Sequence, residues 1–460
     1  MSSVEAPESY LAILASSSEQ CSFDNAKSSS SERQTLELLD ALAGICVSQA
    51  QGEPEVYASA METSPESCTI FIIGNHEVVP QETQHYVVDI CRQLTDVANL
   101  VDSAGLSHKP FTHDLHTSIN GIYTSVLSFT FDKFRARLTK WNGAWLKRGA
   151  EIERRLVDET ERNKFQKLKI AFNLLHQLAA SFHTTDALRL HQVLATISRS
   201  WKLNNPDTKA FIHKLDLLPR TDKTDEPFLI ERYLCKILKT HNETVKLISF
   251  AVSPRRGHIF RNQVKLVFLC SETRRVELDM KTAINTLVRQ MDTIDEDRVF
   301  LHQFIDNGDD DQYTCRPHCE CTMLATILQR WRMQQRPAPI IGVSKLSCLG
   351  CHLFFLAYNK ARSQLTETDL PLEFVVTGAH NTPHLPWVSP DLTSIDPSLH
   401  AGIQQHLLRL ARDASIAHVR ARRRCLGSAS DWSEEYEVMK VDLSLEDIFS
   451  NWKAKMNISS

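Results

Sequence analysis

Two short motifs constrain this chain more than anything else in it: Arg316-Pro-His318-Cys-Glu320, and Ser347-Cys348-Leu-Gly-Cys351 after a helix-length and a strand-length run. After Pro317, the residues Met323, Leu324, Ile327, Leu328 and Trp331 recur at helical spacing, so the spacing predicts a helix over 318–331 with His318 and Glu320 in its first turn. Pro317 suits such a start because it lacks the amide that a first turn cannot use. Cys348 to about Arg362 reads as a second helix with Cys348 and Cys351 neighbours on one face of its first turn, and Pro339 to Ser344 reads as the strand between the two. A helix start favours the thiolate form of cysteine, which zinc requires. One imidazole and two thiolates, His318, Cys348 and Cys351, then form a three-ligand zinc site with an open position for an acidic water, which is the catalytic rather than the structural arrangement. Glu320 acquires the task of moving protons between that water and a leaving amine.

The remaining composition is consistent with a soluble, reducing setting. Five of the twelve cysteines, Cys315, Cys319, Cys321, Cys348 and Cys351, fall within 37 residues, a clustering that favours metal or catalysis over disulfides. No apolar run reaches the ~20 residues that span a bilayer, and the N-terminus lacks a basic segment followed by an apolar one, so the expectation is an intracellular protein of cytoplasm or nucleus, with no membrane. A formal charge of −4 with 23% charged and 42% hydrophobic residues gives no global mandate for nucleic acid.

Along the chain, residues 1–31 read as a disordered tail because of the serine clusters Ser16 to Ser18 and Ser28 to Ser31. Residues 32–244 read as an α-helical domain. In it Phe131, Phe134, Leu138, Trp141, Trp145 and Ile152 form an apolar seam facing Ile170, Leu174, Leu175 and Leu178. Thr69-Ile-Phe-Ile-Ile-Gly74 is either a strand or a loop anchor. Lys133, Arg135, Arg137, Lys140, Lys147 and Arg148 interleave with the tryptophans and read as a solvated face in preference to a nucleic-acid platform. Val264 to Leu269 and Arg275 to Leu278 read as a hairpin, followed by a helix over 280–290 and a solvated acidic turn at Asp306 to Asp311. Leu372 to Thr377 reads as a further parallel strand, which places His380 just beyond its end, where open α/β sheets hold pocket residues; Trp387 is the aromatic most suited to a substrate pocket. Residues 245–390 thus read as the metal-bearing unit, and 391–460 as a helical C-terminal extension with a basic run at Arg420 to Arg424.

His318-Cys-Glu320-Cys-Thr-Met-Leu, Ile341-Gly-Val-Ser-Lys-Leu-Ser-Cys348-Leu-Gly-Cys351 and Val376-Thr-Gly-Ala-His380 with Pro386-Trp387 resemble the OTT-type deaminase-like family of fungi, within the cytidine deaminase-like superfamily, over about residues 245–387. The resemblance implies a three-layer α/β/α fold with a mixed sheet, joined here to helical segments as an α+β multidomain chain. It also implies zinc held by His318, Cys348 and Cys351, with Glu320 as proton shuttle. The implied substrate is a nucleobase, nucleoside or single-stranded nucleic acid whose amino-bearing ring carbon is attacked. Ser347 stands where the superfamily usually has proline. Two other readings compete: a zinc ribbon closed by Cys315, and a deaminase-like module that binds or scaffolds without catalysis.

Overall fold

The computed structural model describes residues 6–15, 30–48, 55–103, 112–183, 186–201, 205–219, 228–271, 273–277, 279–291, 301, 312–365, 369–380, 382–384 and 387–428. In chain order the elements are α1 (Pro7–Ala15), α2 (Ser30–Ile45), β1 (Tyr57–Thr63), β2 (Ser67–Gly74), α3 (Gln81–Ser103), α4 (His113–Phe129), α5 (Phe131–Arg155) and α6 (Glu159–Ala180). Then come α7 (Ala187–Ser200), α8 (Pro206–Leu217), α9 (Ile230–Ala251), α10 (His258–Arg261), β3 (Gln263–Leu269), β4 (Arg274–Glu277), α11 (Met280–Gln290) and β5 (Gln312–Cys315). The C-terminal part carries α12 (Cys319–Arg332), β6 (Ile340–Val343), α13 (Leu349–Arg362), β7 (Val375–Val376) and α14 (Pro397–Ser428). No helix among the described residues is long and apolar enough to cross a membrane.

Five strands form one mixed sheet in the order β3-β2-β1-β6-β7. β1 runs antiparallel to both β2 and β6, β2 is parallel to β3, and β6 is parallel to β7. The alternation of strand side chains sends successive residues to opposite faces. Ala58, Ala60, Phe71, Ile73, Ile341 and Val343 enter a core completed by α1, α11, α12, α13 and α14. Tyr57, Met61, Ile70, Ile72 and Ile340 enter a second core completed by α2, α3, α4 and the end of α9. Helices therefore cover both faces of the sheet. A third core lies among helices α5 to α9 with Leu127 of α4 at its edge, and in it Trp145 is buried against Phe165, Phe172 and Tyr233. α9 joins the two regions: Ile230 to Leu238 belong to the helical core and Leu247 to Ala251 to the sheet core.

Several expectations are corrected here. Residues 7–15 form a helix with Tyr10, Leu11 and Ile13 fully buried, so the N-terminal segment is not a uniform tail. The apolar run ahead of the serine clusters is short enough to be diluted in a composition window, but it packs against α11 and α14. The predicted hairpin does not form. β3 takes β2 as its parallel partner, whereas β4 pairs antiparallel with β5 in a separate two-stranded sheet. β1 and β2, from the half assigned to a helical domain, supply the centre of the sheet that carries the two motifs, so the boundary at 244/245 does not divide the fold. α14 likewise buries Leu399, Ile403, Leu407 and Ala411 in the same core as α13 and is no appendage. In the apolar seam Ile170 is 64% exposed and takes no part, while Leu175 and Leu178 are buried. The acidic run 306–311, most of the basic run at 420–424 and the C-terminal residues beyond Ser428 lie outside the described residues or side chains.

Candidate metal centre

The two motifs converge because both open helices at the same side of the sheet. His318 is the N-cap of α12 (φ −62°, ψ 153°) and Cys348 the N-cap of α13 (φ −75°, ψ 168°), and neither side chain caps its own helix. An N-cap side chain commonly accepts from the amides of the first turn, but these two are directed at each other instead. His318 thus precedes the first helical turn in which it was expected, and Pro317 lies one residue earlier still. Cys351 follows in the first turn of α13, and Glu320 in that of α12.

The resulting geometry is compact. His318 Nδ1 lies 3.4 Å from Cys348 Sγ and 3.3 Å from Cys351 Sγ, and the two sulfurs are 3.5 Å apart. A tetrahedral zinc with bonds of ~2.3 Å to sulfur and ~2.0 Å to nitrogen would have ligand–ligand edges of roughly 3.5–3.8 Å, close to these values. The three ligand atoms fall within 4.8 Å of one another and form a group that could hold a metal ion, consistent with zinc. His318 is half-buried and both cysteines are buried. Burial opposes charge on Cys348, yet the hydrogen bond from Cys351 and the charge of His318 outweigh it and hold this thiol well below the usual range. Burial, then Cys321 and Cys348, push Cys351 upward.

Surrounding contacts fix the ligands. The Trp387 indole N–H donates to Cys351 Sγ at 3.2 Å, and its ring lies so close to α13 that a Cβ at Gly350 would come within 2.9 Å of it. Trp387 is 1% exposed and so does not line an open pocket, contrary to expectation; it orients a sulfur instead. The segment before α13 is stitched to the one after β7: the Ser347 N–H donates to the Gly378 carbonyl at 3.2 Å, and the His380 N–H donates to the Ser347 carbonyl at 3.0 Å. With serine in place of proline the backbone at this position gains a donor, and it is used. Ser347 Oγ is buried without a hydrogen-bond partner.

Glu320 is 4% exposed, and its Oε2 accepts a weak hydrogen bond from Cys319 Sγ at 3.3 Å. Cys319 and Cys321 are buried, as expected of helix-core residues, though Cys321 lies close enough to Cys351 to share a hydrogen bond. Cys315 is buried at the end of β5 and is not a member of the three-residue group, so the ribbon-like closure by Cys315 does not form. His380 is half-buried, its ring edge-on to His384 with centroids 4.8 Å apart. Sequence reasoning missed His384, which lies near enough to Cys348, His380 and His318 for their charges to act on it. Its loop has no periodicity, and only its spacing of four from His380 hints at it. Phe354 and Tyr358 are core residues of α13, and Trp331 donates its indole N–H to the Pro337 carbonyl.

Comparison with known protein families adds one observation to this geometry. Residues 317–391 match the family model of the OTT_1508-like deaminases. The matched segment runs from Pro317 to Asp391 and so contains all of the metal-candidate group, Glu320, His380 and Trp387. A deaminase-like domain therefore occupies this segment of the chain. Searches of curated proteins and of solved structures found no match.

Proposed function

We propose that this protein is a zinc-dependent hydrolytic deaminase acting on a nucleobase, free, in a nucleoside or in a single-stranded nucleic acid, with replacement of an exocyclic amino group by oxygen and release of ammonia. The observation that carries the reading is the convergence of His318 Nδ1, Cys348 Sγ and Cys351 Sγ within 3.5 Å of one another inside a segment matched to a deaminase family. One imidazole and two thiolates are the donor set that holds zinc with a position left for chemistry, and zinc so held supplies Lewis-acid activation of water near neutral pH. His318, Cys348 and Cys351 would hold the metal.

Glu320 takes the role of proton carrier. It sits in the first turn of α12, two residues from His318, and its burial excludes bulk water that would otherwise exchange protons with it. Its task is to take a proton from the attacking water and deliver it to the departing amine. Trp387 keeps Cys351 oriented, and the role assigned to His380, half-buried in the segment beyond β7, is contact with the substrate. The test is ammonia release by zinc-loaded protein on a panel of cytosine and adenine nucleosides, nucleotides and oligonucleotides. Wild type is expected to turn over at least one class, and Glu320→Ala is expected to retain zinc while losing at least ~100-fold in rate. Full turnover by Glu320→Ala would overturn the assigned role, and full zinc without ammonia on any substrate would overturn the enzymatic reading.

A further inference from the structure

Four cations gather where the helical half meets the segment leading to Cys348. Lys133 and Arg137, one turn apart on α5, are half-buried, as is Lys239 on α9, and Lys345 lies exposed just after β6. Three of the bases read from sequence as a solvated face are therefore turned inward: Lys133, Arg137, and Arg148, which is buried against Glu151 and the Leu215 and Leu218 carbonyls outside this cluster. Lys239 Nζ donates to the Ser344 carbonyl, the residue before Lys345, and lies 3.7 Å from Glu243 Oε1. Arg137 donates from Nη1 to the Lys236 carbonyl at 3.2 Å, and Lys133 Nζ reaches the Val47 carbonyl at 3.5 Å. The charges of Arg137, Lys239 and Lys345 all act on Lys133.

Three carboxylates stand near these four cations. Glu243 is one, buried beneath them. Glu55 is another, and it already accepts from the Ser48 amide at 2.7 Å. Asp40, on which the charge of Lys239 acts, is the third, and its two oxygens already accept from the Val343 N–H and the Thr377 hydroxyl. Burial first, then the charge of Arg137, hold the Lys133 amine well below the usual lysine range, the signature of positive charge crowded where water is scarce. Such crowding costs stability unless an anion joins it. The cluster is also contiguous with the candidate metal centre: the charge of Lys345 acts on His384, and those of Cys348 and His318 act on the same ring. Lys345 is three residues from Cys348 and stands at the C-terminal end of β6, the end at which open α/β sheets take ligands.

We propose that Lys345, Arg137, Lys239 and Lys133 form a phosphate subsite beside the metal centre, so that the substrate is a phosphorylated one. The shared chemistry is a phosphate oxygen met by lysine and guanidinium donors, supplied either by a nucleotide monophosphate or by a phosphodiester of a single strand. This deepens the deaminase reading and rests on it for what is attached to the phosphate. A purely structural role would need no exposed member, and Lys345 is exposed.

The test measures binding rather than turnover. Inorganic pyrophosphate is titrated calorimetrically into full-length zinc-loaded wild type, Lys345→Gln and Arg137→Gln, with circular dichroism and zinc content as controls for folding. Pyrophosphate is expected to bind wild type and to weaken by at least about tenfold in Lys345→Gln. No binding at ~10 mM pyrophosphate, a level that still detects a weak phosphate contact, overturns the subsite; so does equal binding by wild type and Lys345→Gln, which is exposed and leaves the fold intact. A second arm compares cytidine and adenosine with their 5′-monophosphates and with short single-stranded oligonucleotides. A gain of at least about tenfold over the nucleoside for either phosphorylated form supports the subsite and says which phosphate it takes, whereas equal affinities contradict it. If pyrophosphate binds and no substrate releases ammonia, the deaminase reading fails and the anion site stands; if a bare nucleoside is deaminated as well as its nucleotide, the reverse holds.

Discussion

Trp387 acts twice on the same ligand: its N–H donates to Cys351 Sγ at 3.2 Å, and its ring lies where any Cβ at Gly350 would collide. A hydrogen bond to a thiolate moderates its charge and fixes its direction, so Trp387→Phe, which keeps the bulk and removes the donor, is expected to lower zinc affinity by ~10–100-fold. Competition with a chromophoric chelator checks this, and an unchanged affinity would remove Trp387 from the account. Gly350→Ala places a methyl within 2.9 Å of the buried ring and is expected to cost about 1–3 kcal/mol in thermal or denaturant unfolding. The residue scale is also where the sequence is most legible. His318, Cys348 and Cys351 declare themselves by type and spacing. What spacing does not carry is direction: Trp387 looks like a pocket aromatic until its burial and its bond to sulfur are known, and Lys133 and Arg137 look like surface until α9 and the segment after β6 close over them.

At the scale of elements, the sheet depends on how closely α2 approaches β6. A Cβ on Gly342 would come within 2.2 Å of the Leu39 backbone, and Asp40 Oδ1 accepts from the Val343 N–H at 2.8 Å, so this helix is both wedged and bonded to the strand that leads to Cys348. Gly342→Ala is expected to destabilise by at least about 3 kcal/mol, or to abolish soluble expression, because backbone rather than a flexible side chain must move. A melting temperature equal to wild type would contradict that packing. Between α7 and α9, His191 and His241 flank Tyr123, and their rings are 5.3 Å apart. Burial, then Arg199 for His191 and His191 for His241, pushes each down to about 4. Each folded-state value lies below that of the unfolded chain, so between pH 6.5 and 4 the unfolded state binds more protons and stability falls as pH falls. Allowing for solvent screening at the half-buried His191, the expected loss is on the order of 1–3 kcal/mol in total. Urea unfolding of wild type and His241→Gln across this window checks it: the variant's slope with pH is expected to be shallower, and identical slopes would contradict it. The elements themselves were partly legible. Periodicity marks α5, α6, α9, α11, α12 and α13, whose apolar stripes follow from one-sided burial. Strand partners were not: β3 and β4 are adjacent in sequence and strand-like, yet their hydrogen bonds are taken by β2 and β5, which only the tertiary fold brings near.

For the molecule as a whole, the sheet gathers distant segments to build one site. β1 and β2 come from 57–74, β6 and α13 from 340–362, and α14, which braces α13, is itself packed against α1 from the opposite end of the described chain. The family match covers 317–391, yet the fold that supports it begins near the N-terminus. This explains why a division at 244/245 looked natural in sequence: the composition changes there from helical to strand-like, but composition does not record that β1 and β2 occupy the middle of the sheet. The central claim is that the helix starts at 318 and 348 make one metal site and that Cys315 stands outside it. Metal analysis of purified wild type, Cys348→Ala and Cys315→Ala tests this most directly. The account predicts about one zinc per chain in wild type and in Cys315→Ala and little in Cys348→Ala; zinc retained by Cys348→Ala, or lost from a folded Cys315→Ala, would contradict it.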